Sequence, residues 1–203
     1  MLLEVDNVQK VYTRGLFRRK ETFGLSASFS VPAPQIIGVL GPNGSGKTTL
    51  FELLSGSNVP TSGKVVIAGQ DIQRVKYNQR DRLAIHYHQS YQVRSVRKTL
   101  PAFMLGATKS AYPLVHIFDE PQFSTQDGYI GFMLSFFRHL RQEGRVVFLC
   151  VHPCETFHLE ILRQNCERYL FVSKGKVSEL PDWDSLSQHP GVDEYLTLAH
   201  GQR

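Results

Sequence analysis

The residues Gly41-Pro42-Asn43-Gly44-Ser45-Gly46-Lys47-Thr48-Thr49 fit the spacing GxxxxGK[ST]. Glycines at these positions let successive backbone N–H groups turn inward around phosphate oxygens. A helix starting at the end of the run would add its positive N-terminal pole. Lys47 is long enough to reach terminal phosphates, and the Thr48 hydroxyl is a hard oxygen donor suited to Mg²⁺. Gly41, Asn43, Gly44, Ser45, Gly46, Lys47, Thr48 and Thr49 are therefore the candidate contacts to a nucleoside triphosphate. A second pair of groups lies downstream. Asp119 and Glu120 close the apolar run Leu114-Val115-His116-Ile117-Phe118. A carboxylate at a strand end facing a phosphate loop can hold Mg²⁺ directly or through water. Glu120, one residue on, faces differently and can act as general base on a water.

These groups need elements to carry them. Ile36-Ile37-Gly38-Val39-Leu40 before the loop reads as a buried strand, and Thr49-Leu50-Phe51-Glu52-Leu53-Leu54 after it as a helix. Residues 1–40 otherwise read as β, with short strands at 2–5 and 7–11 and an alternating strand at 26–31. Further strands are expected at 65–67, 83–87, 114–118 and 146–151, the last a continuous apolar run of the kind found in central parallel strands. Tyr129, Met133, Phe136, Phe137 and Leu140 recur at helical spacing as a core-facing stripe, closed by Gly144. A helix is expected over about Glu155 to Cys166. A hairpin over Lys174-Gly175 follows, and then a short polar tail, 181–203, with a helical stretch at 193–196. Strands alternating with helices predict an α/β fold with a mostly parallel central sheet, flanking helices and an antiparallel β portion on the N-terminal side.

Composition bounds the rest. The 203 residues suit one domain, and 41% hydrophobic content suits a globular one. No apolar run is long enough to cross a bilayer. Glu4 and Asp6 follow Met1-Leu2-Leu3 at once, unlike a signal peptide, so the cytoplasm is the expected compartment. Three cysteines make no disulfide framework. Cys150, His152, Cys154 and His158 lie close enough to consider zinc, but no second CxxC pair exists. The net charge of +5 gathers in 14–20, 74–82 and 94–98, which suits anionic partners. No nucleic-acid motif accompanies it, so nucleic acid is not the expected partner.

With GPNGSGKTT and LVHIFDEP in this order, the chain resembles the ATP-binding cassette (ABC) ATPases, the nucleotide-binding subunits of ABC transporters and their relatives. The resemblance implies a P-loop NTPase fold of that type, with ATP and Mg²⁺ as cofactors. It implies further roles. Tyr12 matches the aromatic residue that stacks on adenine. Gln89 matches the glutamine that touches Mg²⁺ and the attacking water. His152 matches the switch histidine of the γ-phosphate, and Ser124-Thr125-Gln126-Asp127 resembles the D-loop. The implied catalytic set is Lys47, Gln89, Glu120 and His152, with Thr48, Gln89 and Asp119 at the metal.

The family places a helical subdomain ending in LSGGQ between the glutamine and the Asp-Glu pair. Here only 30 positions separate Gln89 from Asp119, and no LSGGQ occurs among them. The 90–113 region reads as a truncated form of that subdomain. A homodimer would then lack the donors that cap the γ-phosphate, a loss worth about 3 kcal/mol or a hundredfold in rate. The expectation is a Mg·ATP-binding ABC-type subunit, of a transport system first, with weak hydrolysis unless a complete ABC subunit or other partner completes it. A membrane permease is a further expected partner, the chain itself lying at the inner face of the membrane. A soluble ATP-dependent switch without transport is the second reading, and a nucleic-acid-associated ATPase the third.

Overall fold

The structure is a computed structural model and describes residues 1–15, 20–87, 113–121, 129–153 and 156–201. Gln89, the 124–127 stretch, Cys154 and all of 90–113 except Pro113 lie outside them. The elements, in chain order, are strands β1 (Leu3–Arg14), β2 (Lys20–Val31) and β3 (Ile36–Leu40), helix α1 (Lys47–Ser55), and strands β4 (Ser62–Ile67) and β5 (Gln70–Asp71). A 3-10 turn at Tyr77–Arg82 leads to β6 (Ala84–Tyr87) and β7 (Val115–Asp119). Helix α2 (Tyr129–Gln142), β8 (Val146–Cys150), α3 (Thr156–Asn165), β9 (Arg168–Ser173), β10 (Lys176–Leu180), α4 (Trp183–Ser187) and α5 (Pro190–Gly201) complete the chain.

Ten strands form one sheet in the order β5-β4-β1-β2-β10-β9-β3-β8-β7-β6. From β9 to β6 all neighbours are parallel. The β5-β4-β1-β2 side is antiparallel, and one parallel bridge, Lys176 to Ser26, joins the halves. Strands β3, β7 and β8 are buried at every position, as strands covered on both faces must be.

Each face carries its own core. On one face α1 inserts Leu50, Phe51, Leu53 and Leu54, all fully buried, between the two halves of the sheet. Burying each is worth about 2–3 kcal/mol, enough to seat the helix firmly behind the phosphate loop. On the other face α2 packs Met133, Phe136, Phe137 and Leu140, as its aromatic stripe predicts. Arg80 of the 74–82 basic group donates to the Gly56, Val75 and Gln73 carbonyls. One charge of that cluster therefore ties the 3-10 turn to the C-terminus of α1.

Two expectations are corrected. The first two strands are one, β1, continuous through an irregularity at Asn7, whose φ is 47°. Asn tolerates the left-handed region, so the strand absorbs the extra residue without ending. The segment after Pro181 is more than a polar tail with one helical stretch. Helix α4 is capped by Asp182, whose carboxylate accepts from the Ser185 N–H at 2.8 Å, and Pro190 opens α5. Leu186, Val192 and Tyr195 are buried against α2, β9 and their neighbours.

A buried polar cluster sits beneath β6 and β7. His116 is fully buried; its Nδ1 lies 3.1 Å from the Tyr87 hydroxyl and its Nε2 3.1 Å from the Pro113 carbonyl. Arg145 donates to the same carbonyl. Burial first, and the Arg145 guanidinium second, push the imidazole down to about 3. The unfolded chain takes up that proton near pH 6.5, so acid favours unfolding. Stability present at pH 7 is lost as pH falls from about 6.5 towards 3, by a few kcal/mol at pH 4. Urea midpoints at pH 7 and 5 should diverge less in His116→Gln than in the wild type. An equal drop in both would remove His116 as the cause.

Candidate functional site

The loop after β3 turns sharply because Gly41 holds φ 149° with its α-carbon pressed on β9; a Cβ there would lie 2.0 Å from the Val172 carbonyl oxygen. The turn between β9 and β10 closes on the loop from the side. The Gly175 N–H donates to the Ser45 carbonyl at 3.0 Å, and the Gly175 carbonyl accepts from the Ser26 N–H of β2 at 2.7 Å. Strands β2, β3, β9 and β10 thus fix the loop before any ligand arrives.

Helix α1 starts at Gly46 in the left-handed region, φ 112°, and no side chain caps its N-terminus. Its first turn carries no acidic residue. Its leading N–H groups therefore keep their capacity for an anion. Ser45 Oγ is buried in the loop without a protein partner among the described residues. In front of the loop lies a cavity of about 260 Å³, lined by Phe23, Asn43, Gly44, Gly46, Lys47, Thr48, Thr49 and Glu120. Beyond Gly44 the space is open. Backbone donors, a lysine and a cavity together fit a polyphosphate.

Lys47 is 8% exposed and folds back over the loop. Its Nζ donates to the Gly41 carbonyl at 2.7 Å and the Pro42 carbonyl at 3.0 Å. These contacts keep the ammonium aligned along the loop. Thr48 Oγ1 stands 3.5 Å from Asp119 Oδ2, although 71 positions separate them in the chain. Two hard oxygen donors from α1 and β7 meet there, which is the donor chemistry Mg²⁺ takes. Asp119 Oδ2 also lies 3.2 Å from His86 Nε2.

Glu120 has φ 52°, strained for a residue with a Cβ, and its N–H donates to the Cys150 carbonyl at 3.0 Å. Its side chain lines the cavity. Such strain gathers at sites where it is useful. The Cys150 thiol, fully buried beneath, is pushed up by burial and then by Asp119; Lys47 pulls it the other way. The site's charges converge over the ends of β3, β7 and β8.

The sequence-derived residues divide. Asn43, Gly44, Gly46, Lys47, Thr48, Thr49 and Glu120 share the cavity wall. Gly41 and Ser45 underlie the loop, and Asp119 sits behind Thr48. Tyr12 does not line the cavity. Its hydroxyl accepts from Asn58 at 2.7 Å and Lys10 lies 5.2 Å from its ring centroid. Phe23, its cross-strand partner with ring centroids 6.2 Å apart, occupies the wall instead. His152 follows β8, between the strands that carry the loop and Asp119, and its Nδ1 stands 3.4 Å from the Tyr195 hydroxyl of α5. Gln89 is outside the described residues. Sequence reasoning missed Phe23, His86 and Tyr195. The alternation of β2 could have pointed to Phe23 once its register with Tyr12 was known. No local signal marks the other two.

The profile of the family described as "ABC transporter" matches residues 25–123. The thiamine import ATP-binding protein ThiQ of Vibrio parahaemolyticus is 26% identical, over 93% of this chain and 95% of that protein. The energy-dependent translational throttle protein EttA of Escherichia coli is 38% identical over 78 residues, which is 38% of this chain and 13% of that protein. Among solved structures, the dimeric post-hydrolysis state of the ATP-binding cassette MJ0796 bound to ADP and Pi superposes with a TM-score of 0.66 at 15% identity, over 89% of this chain and 98% of that one. The α/β fold is that of a P-loop ABC cassette.

Proposed function

We propose, from the premise that this chain carries an ABC transporter domain and is homologous to ABC ATP-binding subunits, that it is a Mg·ATP-binding subunit of a transport system whose hydrolysis is weak until a partner completes its site. The observation that carries the reading is the convergence of Lys47, the uncapped start of α1, Thr48 and Glu120 on one cavity, with Asp119 3.5 Å from the Thr48 hydroxyl behind its wall. Lys47 and the loop N–H groups bind the phosphates. Thr48 and Asp119 would hold Mg²⁺, which on binding screens the phosphate charge. Glu120 takes the proton of the attacking water. His152 Nδ1 faces the Tyr195 hydroxyl; with that hydroxyl as donor, the imidazole would carry its proton on Nε2 and offer it to the γ-phosphate. Gln89, outside the described residues, is the glutamine that the family resemblance assigns to Mg²⁺ and the attacking water. Phe23, on the cavity wall, would flank the adenine, with Tyr12 packed against it from the neighbouring strand.

The dependence on a partner rests on the shortened 90–113 region. The alignment with ThiQ runs over 234 residues although this chain has 203, so that relative carries stretches with no counterpart here. The partners proposed are a complete ABC subunit, which could cap this chain's ATP, and a membrane permease; a homodimer is the simpler assembly. Among the described residues no helix is long and apolar enough to cross a membrane, which fits a chain held at the cytoplasmic face by others. The match to EttA, a protein not named for transport, supports a second reading as a soluble ATP-dependent switch.

One experiment tests the core of this. The purified chain should bind ATP in Mg²⁺ with turnover about a hundredfold below that of a capped site. ATP affinity should fall in Tyr12→Ala and Phe23→Ala while inorganic tripolyphosphate binds as before. Absence of ATP binding would end the reading, and brisk turnover by the isolated chain would end its partner dependence. Recovery of the chain from cells with membranes separates transport from the soluble switch.

A further inference from the structure

His86 is a half-buried polar residue at the site with no role in the assignment above. It stands on β6, paired in register with Ile117 of β7, two residues before Asp119. Its side chain is 13% exposed and the Asp119 side chain 7%. Their contact, 3.2 Å from Nε2 to Oδ2, falls on the same carboxylate oxygen that faces Thr48 Oγ1 at 3.5 Å. The imidazole is held from a second side. Phe51, fully buried on α1, meets it edge-on with ring centroids 5.6 Å apart at 64°. Helix α1 is also the helix that carries Thr48.

We propose that His86 is a positioning residue for the metal-holding carboxylate: by donating from Nε2 to Asp119 Oδ2 while braced on Phe51, it fixes Asp119 against Thr48 and so sets the affinity of the nucleotide site for its divalent cation. The inference rests on the Mg·ATP reading of this site. A carboxylate this deeply buried must find a donor, and an unpaired one would turn away from its working orientation. The Thr48 contact, at 3.5 Å, is too long to do this alone. His86 supplies the shorter bond, and the rigid strand pair β6–β7 sets its distance. The remaining lone pairs of the carboxylate are then left for a cation between Asp119 and Thr48. A donor behind a ligating carboxylate typically changes metal affinity without touching the metal.

The test uses the full chain and two substitutions. His86→Phe keeps a ring against Phe51 and removes the donor. His86→Gln keeps a donor of similar reach. ATP binding is measured in EDTA and across a Mg²⁺ series, and Mn²⁺ binding to the ATP complex is read by electron paramagnetic resonance. In His86→Phe the metal-free ATP affinity should equal the wild type's, while the half-saturating Mg²⁺ or Mn²⁺ concentration rises about tenfold or more. His86→Gln should restore most of the loss. In an Asp119→Asn background His86→Phe should change nothing further. An unchanged metal dependence in His86→Phe overturns the proposal, as does a Gln variant no better than Phe. A parallel loss of metal-free and metal-supported binding would also overturn it, since that marks a purely structural role. If His86→Phe does not fold, His86→Met, also lacking a donor, takes its place. Failure of the wild type to bind ATP at all would instead bring down the Mg·ATP reading.

Discussion

Replacing Lys47 with alanine is expected to lower ATP affinity by at least a hundredfold. The ammonium is the one side-chain cation on the cavity wall among the described residues, and it is already aligned by the Gly41 and Pro42 carbonyls. On binding it exchanges these neutral acceptors for phosphate oxygens. A charge-assisted bond of this kind contributes about 1.5–3 kcal/mol, and two such bonds lost together exceed a factor of a hundred. The fold should survive. Alanine removes the donor rather than stranding a charge, and each of the two carbonyls it leaves costs about 1–3 kcal/mol at most, less where water reaches it. The assay is thermal unfolding with and without ATP. Saturating ligand at a hundred times Kd stabilises the wild type by about 2.7 kcal/mol, whereas the variant should gain almost nothing at the same concentration. ATP affinity within threefold of wild type would show that the loop does not hold the phosphates.

Glu120→Gln is expected to keep ATP binding and to suppress turnover by a factor of 100 to 10,000, roughly the range for loss of a general base. The structure makes this substitution a clean one. Glu120 is held by its backbone, through the N–H bond to Cys150 at 3.0 Å, and glutamine keeps that bond. The φ of 52° is no harder for glutamine than for glutamate. The side chain lines the cavity near Thr48 and Lys47, so the amide keeps the shape and loses the charge and the basicity. Binding of ATP and release of phosphate, measured on the same preparations, separate the two effects. Turnover equal to the wild type's would remove Glu120 as the base. A collapse of ATP binding would instead mean that its charge serves the ground state.

The groups that sequence reading found were those whose partners are close in the chain. In the phosphate loop, spacing alone specifies a strand, a turn and a helix start, and the loop indeed leaves β3 and enters α1 at Lys47. The apolar run ending at Asp119 needs no distant information to read as a buried strand. Helix α2 was equally legible, because a 3.6-residue stripe records which face is buried. The ends were less so. The cap at Asp182 and the proline at Pro190 are short-range signals, but they mark helices of a segment whose composition reads as polar tail.

The sequence by itself determined the groups on which the proposed chemistry rests: a GxxxxGK[ST] loop, its lysine and threonine, and a pair of carboxylates at a strand end. Those are properties of residue type and near-neighbour spacing. Only the tertiary structure decided which groups surround them. Strand order β3-β8-β7-β6 brings His86 to Asp119 across 33 positions, and the β1–β2 register puts Phe23, in place of Tyr12, on the cavity wall. The docking of α5 carries Tyr195 to His152 across 43 positions. Pairing between strands is fixed by burial of the whole sheet, a sum over many distant residues, and no local pattern records that sum.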